Sequence, residues 1–290
     1  MTAPETALAF DGPNAQEIEN WNVKAGDKWA RNRAILERFM TPITARIMEK
    51  AAPRAGEAVL DIGCGCGATS LAAADRVGRS GSVVGVDISA PMLAEAREVN
   101  HAPNIEYVLA DAAFHKFPPA RFDLVFSRFG VMFFSDPVGA FKNIHTAAKK
   151  GARLAFVCWR PLKDNAWVTV PLTAALAHIP KPPPADPFAP GPFAFSDPAR
   201  VEDILTSAGF AAISIEPATF SLHVAEPGPN CIDDAMHFAT ELGPASRLIA
   251  DAEDSVREAA YGEIRKTLAG LQTPQGISLG AACWLVEARA

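Results

Sequence analysis

Three glycines stand at alternate positions in the stretch DIGCGCG, residues 61–67. The short apolar run AVL precedes this stretch, and the helix-like sequence ATSLAAADRV follows it. Glycine permits a tight turn and a close approach of the backbone to a ligand, and free N–H groups at a helix N-terminus favour anionic groups. The pattern predicts a strand, a turn and a helix that hold a nucleotide or an amino-acid-like ligand.

Two acidic residues follow the next two predicted strands. Asp87 ends the run SVVGVDI, about 20 residues past the glycine turn, where a carboxylate can accept two hydrogen bonds from a ribose diol. Asp111 follows the third strand and could accept from an adenine amino group, with the amide of Ala112 beside it, or it could cap a helix. Ile88 and Met92 could cover the purine, although Met92 would also suit the core.

Short apolar runs alternate with helix-like stretches between residues 57 and 159, which is typical of βα units around a parallel sheet. We predict helices near 67–78, 91–100 and 136–149. Asp136 and Pro137 open the third helix as a cap and a first-turn proline. The predicted strands are AVLDI, SVVGVDI, IEYVLA, FDLVFS and RLAFVCW.

The segments on either side of residues 57–159 have different sequence patterns. Residues 16–51 are amphipathic and helical in pattern, so we assign residues 1–52 to an N-terminal helical lid. Residues 53–290 then form the main domain, with insertions at about 163–195 and 225–275. The first insertion contains the proline-dense stretch IPKPPPADPFAPGPFAFSDP, which cannot continue a helix.

The end of the chain completes the predicted sheet. After a helix that ends at Gly209, an apolar strand is predicted near 211–216, and the last apolar run is ISLGAACWLVEA. We expect these final two strands to be antiparallel neighbours at one edge of the sheet. The polar helical segment between them would form part of a cap.

Four motifs in a fixed order carry a family resemblance. VLDIGCGCG, GVDISAPML, LADAA and FDLVFSRFGVMFF occur in sequence between residues 57 and 160. In order and spacing they resemble the motifs of class I S-adenosylmethionine (SAM) dependent methyltransferases, and most closely the ubiquinone/menaquinone-biosynthesis-like small-molecule enzymes. The resemblance implies an α/β, Rossmann-like class I methyltransferase fold. That fold has a seven-stranded, mostly parallel sheet with helices on both faces, an N-terminal helical lid and an inserted cap.

The resemblance also implies the cofactor, SAM, with S-adenosylhomocysteine (SAH) as the product. Asp61 would face the methionine end of the ligand, whose ammonium needs acceptors, or would only brace the loop from behind. A backbone carbonyl near Ser127 is the other acceptor that the resemblance suggests. The predicted cofactor-binding residues are Asp61, Gly63, Cys64, Gly65, Gly67, Asp87, Ile88, Met92, Asp111, Ala112, Ser127 and Trp29.

A substrate pocket is expected over the carboxyl ends of the strands, because open α/β sheets bind ligands there. The predicted lining residues are Arg128, Phe129, Trp159 and Arg160, under a roof formed by the lid with Trp29. Either arginine could hold an acidic substrate or pair with an acid of the lid, and the phenylalanines of this region also suit the core. We assign no catalytic residue and no metal ligand, and we expect a small, hydrophobic metabolite.

The amino-acid composition limits the kinds of partner that the protein is expected to bind. The net charge is −6, from 27 Lys and Arg against 33 Asp and Glu, and no basic block suggests nucleic-acid binding. No apolar run approaches the ~18 residues of a membrane span. Five cysteines without repeated spacing suit reduced thiols, so we expect a cytoplasmic protein that acts on a small molecule, and we leave a homodimer open.

Two other functions stay open at this point. Gly63, Gly65 and Ala68 satisfy the GxGxxG/A fingerprint of NAD-binding Rossmann domains. An NAD(P)-dependent oxidoreductase would need a hydride-transfer acid such as a YxxxK pair, and neither Tyr107 nor Tyr261 has a lysine four residues on. A non-catalytic SAM-binding module, with the proline-rich loop as its contact to a partner, is the second alternative.

Overall fold

One seven-stranded sheet forms the centre of the computed structural model, which describes residues 8–9, 12–184, 186–243 and 245–290. The strands are β1 (Ala58–Ile62), β2 (Ser82–Asp87), β3 (Ile105–Leu109), β4 (Phe122–Arg128), β5 (Ala148–Trp159), β6 (Ala211–Ala225) and β7 (Ile277–Arg289). Their order is β3-β2-β1-β4-β5-β7-β6. β1 to β5 pair in parallel, and β7 runs antiparallel to both of its neighbours, β5 and β6. The predicted mostly parallel sheet and its antiparallel final pair are confirmed.

Burial explains why the parallel strands read as continuous apolar runs. A parallel sheet is covered on both faces, so successive residues are apolar rather than alternating. Val59 and Leu60 of β1 and Phe126 of β4 are fully buried. β6 differs from the prediction, because it extends from Ala211 to Ala225 rather than over 211–216 alone. Its second half, TFSLHVA, alternates polar residues with Phe220, Leu222 and Val224, and it pairs with β7.

Helices occupy the described part of the predicted lid. They are α1 (Ala15–Glu19), a π-helical turn (Asn20–Lys24), α2 (Gly26–Arg31) and α3 (Arg33–Ala51). α3 packs against β4, β5, β6 and β7, and its buried face includes Phe39, Ile43 and Ile47. The helical pattern predicted for this segment is therefore confirmed, while residues 1–7, 10 and 11 of the predicted lid lie outside the described residues.

The three predicted crossover helices are present as α4 (Ala68–Val77), α5 (Ala90–Val99) and α6 (Pro137–Ala147). The side chain of Ser89 accepts from the Met92 N–H at the start of α5, at 3.5 Å. Asp136 accepts from the Gly139 N–H at 2.9 Å at the start of α6, so the cap predicted for this helix is confirmed.

The remaining helices are α7 (Ala166–Ala175), α8 (Pro198–Ser207), α9 (Cys231–His237), a π-helical turn (Phe238–Leu242), α10 (Ala245–Ala250) and α11 (Asp254–Ala269). α7 was not predicted, because Pro171 interrupts its pattern and an all-round apolar helix lacks an amphipathic period. It packs against β7 and against α11. The contact with α11 joins the two predicted insertions, because α7 lies in the first and α11 in the second. Residues 185 and 244 of these insertions lie outside the described residues. Within the described part of the chain, no helix is long and apolar enough to cross a membrane.

Candidate functional site

The glycine turn lies between β1 and α4, at the carboxyl edge of the parallel strands. Gly63, Gly65 and Gly67 have φ values of +68°, +55° and +82°, a region that side chains other than glycine rarely adopt. A Cβ on Gly63 would lie 2.6 Å from the Cα of Gly130, and one on Gly65 would lie 2.8 Å from the Cε of Met92. The turn therefore requires glycine for its conformation at three positions and for close packing at these two.

Asp61 lies directly behind this turn and is fully buried. Its Oδ2 accepts hydrogen bonds from the hydroxyls of Thr69 and Ser70, each at 2.7 Å, which ties β1 to the first turn of α4. Its Oδ1 is buried and has no hydrogen-bond partner among the described residues. Burial raises the pKa of Asp61 to about 6, against the lowering effects of the two hydroxyls and of Arg128. The bracing contacts thus use one oxygen and leave the other without a donor.

Asp87 connects the end of β2 to the glycine turn. Its Oδ2 accepts from the Gly65 N–H and its Oδ1 from the Ser89 N–H, both at 2.8 Å. Burial raises the pKa of this carboxyl, and the backbone donors oppose that rise. Each carboxylate oxygen has more than one acceptor site, so the side chain keeps capacity for a further donor. Its contact with a ribose stays a prediction.

Asp111 meets the lid at the end of β3. Its Oδ1 accepts from the Ala113 N–H at 2.9 Å, which stabilises a turn rather than a long helix. Its Oδ2 accepts from Nδ2 of Asn14 at 2.7 Å, and Oδ1 of this buried lid asparagine accepts from the Ser135 N–H at 2.9 Å. Ala112 is buried beside it. The oxygens predicted to receive an adenine amino group are therefore engaged by the chain itself.

A second lid asparagine holds the segment after β2. Asn22 donates to the carbonyl of Ile88 at 2.8 Å and accepts from the Ala90 N–H at 3.0 Å. The Ser89 hydroxyl donates to the carbonyl of Trp21 at 2.8 Å. These bonds involve the π-helical turn of the lid, a conformation that often occurs at functional sites.

Trp29 lies in the lid helix α2, which packs against α5. Its ring meets the ring of Trp21 edge to face at a centroid distance of 5.4 Å, and Trp21 meets Phe133 in the same way at 5.5 Å. An aromatic group thus joins the lid to the segment after β4. Contact of Trp29 with a cofactor stays a prediction.

The segment after β4 is held by the side chain of Ser127, which is fully buried. Its hydroxyl donates to the carbonyl of Ile62 at 2.8 Å and accepts from the Gly130 N–H at 3.1 Å. The next turn places Phe129 at φ +67°, a strained conformation for a residue with a side chain. Its ring stacks on Trp159 at 4.1 Å and 11°.

Five aromatic residues from five segments meet beyond the strand ends, and we call them the aromatic cluster. The Phe129–Trp159 stack continues to Trp167 of α7 at a centroid distance of 4.9 Å. Trp167 meets Phe39 of the lid helix α3 at 5.5 Å, and Phe39 meets Phe238 of the second insertion at 4.5 Å. All five side chains are buried. The cluster provides an apolar wall at the place where the substrate pocket was predicted.

The two arginines predicted at the pocket are both paired within the protein. Arg128 contacts the lid residue Glu37, with Nη1–Oε2 at 3.3 Å and Nη2–Oε1 at 3.4 Å. The alternative in which it pairs with an acid of the lid is therefore the observed one. Arg160 pairs instead with Asp164, four residues on, at 2.9 Å, and its guanidinium lies over the ring of Trp284.

The cysteines of the turn are buried free thiols. Burial raises the pKa of Cys64 well above its ordinary value and that of Cys66 to about 12, so both are protonated at neutral pH. Among the described residues, no group of three or more His, Cys, Asp or Glu side chains is arranged to hold a metal ion.

A separate surface cavity of about 270 Å³ lies between α3, β5 and β7, lined in part by Lys50, Arg153 and Glu287. Arg153 stands in the first half of β5, so the cavity is at the amino edge of the parallel strands. The glycine turn and the aromatic cluster are at the carboxyl edge, where open α/β sheets bind ligands. We therefore place the candidate site at the carboxyl edge.

Three polar contributors to this edge were missed by the sequence interpretation: Asn14, Asn22 and Glu37. Each belongs to the lid and reaches a residue far along the chain. Single asparagine and glutamate residues in a helical segment carry no local motif, so no signal in the sequence distinguishes them from solvated surface residues.

Residues 59–151 match the protein family described as "Methyltransferase domain". Aklanonic acid methyltransferase DauC of Streptomyces sp. (strain C5) is 40% identical over 121 residues, which cover 41% of this chain and 55% of DauC. The ubiquinone/menaquinone biosynthesis C-methyltransferase UbiE of Hahella chejuensis is 36% identical over 111 residues, 37% of this chain and 45% of UbiE. The chain therefore spans about half the length of these curated relatives.

The crystal structure of YcgJ from Bacillus subtilis is similar in fold. It has a TM-score of 0.56 and 20% sequence identity, and the similarity covers 86% of this chain and 98% of YcgJ. The predicted Rossmann-like fold is confirmed, and the family resemblance predicted from the motifs is confirmed for the matched residues.

Proposed function

We propose that this chain, whose residues 59–151 belong to the methyltransferase-domain family, transfers a methyl group from SAM to a small, hydrophobic metabolite. The observation that carries this proposal is the glycine turn with Asp61 behind it. The turn forms a backbone cradle, and the buried Oδ1 of Asp61 lacks a hydrogen-bond donor among the described residues. A ligand with an ammonium group would supply a donor at this end of the site.

The residues around the cradle fit SAM by their chemistry. Asp87 keeps acceptor capacity suited to a ribose diol, and Met92 and Ile88 offer apolar cover for a purine. Asp111 could receive the adenine amino group once the lid residue Asn14 shares or releases its oxygen. Asp61 and the glycine turn would receive the methionine end.

When bound, SAM supplies an electrophilic methyl group on a sulfonium sulfur, and the nucleophile takes that carbon while the electrons of the broken bond stay on sulfur. The protein needs to orient the two reactants and to exclude water. Good orientation contributes on the order of 7–11 kcal/mol to lowering a barrier. The aromatic cluster provides the dry, rigid wall that this task needs.

The charges at the pocket support a neutral, apolar acceptor rather than an acidic one. Arg160 pairs with Asp164 at 2.9 Å, so an acidic substrate would have to displace an internal carboxylate from this cation. DauC is named for the methylation of aklanonic acid and UbiE for a methylation in ubiquinone/menaquinone biosynthesis, which supports a small-molecule acceptor.

We further infer that the protein acts in the cytoplasm and does not bind nucleic acid. The net charge of −6 and the free, buried cysteines support this inference. A homodimer is compatible with these features, and size-exclusion chromatography with light scattering would distinguish it from a monomer.

Calorimetric titration with SAH and with NADH tests the cofactor. We expect heat from SAH and none from NADH, whereas heat from NADH alone would support an oxidoreductase. Incubation with labelled SAM and a metabolite extract then tests turnover. A labelled small molecule is expected, and failure to label any product despite SAH binding would favour a non-catalytic SAM-binding module.

Substitution Asp87→Ala tests the ribose assignment. Loss of two charge-assisted hydrogen bonds should weaken SAH binding by several kcal/mol, measured as the dissociation constant. Asp136→Ala is a control, because this acid caps α6 at the surface and should leave SAH affinity unchanged. An unchanged dissociation constant for Asp87→Ala would rule the assignment out.

A further inference from the structure

The ion pair between Arg128 and Glu37 is long, so each of the two charged groups can exchange the other for a charged group of a ligand. Its two N–O distances are 3.3 and 3.4 Å, whereas charge-assisted hydrogen bonds between guanidinium and carboxylate are usually about 2.7–2.9 Å long. The tighter bond of Arg128 runs from Nη1 to the hydroxyl of Thr44, at 2.7 Å. The guanidinium is thus anchored by the hydroxyl and faces the carboxylate loosely.

The pair lies at the glycine turn rather than on the outer surface of the lid. Arg128 is the last residue of β4, and its charge acts on the buried carboxyl of Asp61. The charge of Glu37 acts on the thiol of Cys66 within the turn. The side chains of Arg128 and Glu37 are only 15% and 25% exposed. A ligand seated in the turn would therefore meet both charged groups.

The methionine end of SAM and of SAH is a zwitterion, with one carboxylate and one ammonium. A carboxylate is matched in two hydrogen bonds by the fork of a guanidinium, and an ammonium is matched by a carboxylate. We propose that Arg128 binds the carboxylate of this amino-acid group and that the lid residue Glu37 shares the three N–H donors of its ammonium with Asp61, which replaces the contact between Arg128 and Glu37. This inference rests on the proposed function and assigns a positioning role to both residues.

The proposed exchange of partners keeps every buried charge compensated, and it couples the cofactor to the lid. Both charges are already largely removed from water in the free protein, so the ligand adds two ion contacts where one existed without burying a new uncompensated charge. Glu37 and Thr44 both belong to α3. Binding of the zwitterion would therefore fix this lid helix against the end of β4.

The test compares two ligands that differ only beyond sulfur. SAH carries the amino-acid group, whereas 5′-methylthioadenosine has the same nucleoside and sulfur without it. Calorimetry would measure both affinities for the wild type and for Glu37→Gln, Arg128→Gln and Arg128→Lys. Circular dichroism melting would establish that each variant is folded, and Glu37→Gln, a nearly isosteric change, provides a readout if Arg128→Gln does not fold.

We expect the glutamine variants to lose about 10- to 100-fold in SAH affinity, the range for hydrogen bonds to charged groups, with 5′-methylthioadenosine affinity unchanged. Arg128→Lys should lose less, because it keeps the charge and loses the fork. Arg38→Gln is the matched control, since it removes the ion pair of the adjacent lid residue with Glu226 and should change neither affinity.

Equal losses for both ligands, or no loss for either, would overturn the inference and show that the pair only fastens the lid. That result would leave the proposed function standing, because the wild type would still bind both ligands. Failure of the wild-type protein to bind either ligand would overturn the proposed function together with the inference.

Discussion

At the scale of single residues, Asp61 shows how one buried carboxyl can serve both structure and binding. Two hydroxyls bond to one of its oxygens, and the other has no donor among the described residues. An ionised carboxylate in this setting is incompletely compensated, and burial accordingly raises its pKa to about 6. The folded protein therefore binds a proton at Asp61 more tightly than the unfolded chain does.

This asymmetry predicts a pH dependence of stability. Because the pKa of Asp61 is higher in the folded state, the contribution of Asp61 to the stability of the wild type falls as pH rises from about 4 to above 6. Asp61→Asn lacks the charge, so the difference in unfolding free energy, variant minus wild type, should increase by about 2 kcal/mol from pH 4 to pH 7. Urea unfolding at the two pH values measures it.

The control variant for this experiment is Asp123→Asn, for which the expected change of stability with pH has the opposite sign. Burial acts to raise the pKa of Asp123, but hydrogen bonds from Lys149 and from the Ala58 N–H hold it below its ordinary value. Asp123→Asn should therefore lose more stability at pH 7 than at pH 4. Parallel stability profiles for Asp61→Asn and the wild type would contradict the role given to Asp61.

At the scale of elements, the site depends on how closely the turn after β1 approaches the turn after β4. The Cα of Gly130 occupies the space that a Cβ on Gly63 would need, and the Ser127 hydroxyl bridges the two segments. Both contacts are made by backbone atoms or by a small side chain. The two turns are thus held in close contact and have little freedom to move apart.

Two glycines with similar φ angles distinguish the cost of backbone strain from the cost of a steric clash. Gly63 has φ +68° and Gly78 has φ +65°, but a Cβ would meet nothing within 4 Å at Gly78. Gly78 also has ψ −170°, a combination that is essentially limited to glycine, so Gly78→Ala should cost about 1–3 kcal/mol of unfolding free energy through strain alone. Gly63→Ala should cost clearly more and should also weaken SAH binding. Denaturant unfolding and calorimetry measure these effects, and equal costs for the two variants would refute the close-approach argument.

At the scale of the whole molecule, the lid and the second insertion are joined above the carboxyl edge. Lys28 of α2 pairs with Glu241 at 3.1 Å, and Nε2 of His237 hydrogen-bonds with Oδ1 of Asn32 at 2.8 Å. The lid is also fastened to the sheet through Asn14, which bridges segments after β3 and β4. Access to the site therefore requires several distant parts of the chain to separate.

Removal of one fastening should loosen the lid locally. Asn14→Ala eliminates the bonds to Asp111 and Ser135 and should lower the local stability of α1 and the following π-helical turn by about 1 kcal/mol. Amide hydrogen exchange there should become roughly fivefold faster. Exchange in α8, which packs on α6 and β6 away from the lid, serves as the internal control. Unchanged exchange in the lid would show that Asn14 does not fasten it.

The success of sequence-based prediction depended on how local each signal was. The glycine turn and the position of Asp87 after β2 could be predicted because strand, turn and helix are contiguous in the chain. The contact between Glu37 and Arg128 could not, because it joins a lid helix to a strand 91 residues away. α7 escaped prediction because its apolar residues surround the helix and Pro171 lies inside it.

The position of β7 between β5 and β6 has a consequence for biosynthesis. Among the described strands, β6 hydrogen-bonds to β7 alone, and it leaves the ribosome before the helices of the second insertion and β7 itself. During translation its edge groups must stay unpaired or be shielded by a chaperone. Ribosome-stalled chains that end before Ile277 should therefore be more sensitive to protease at β6 than released protein.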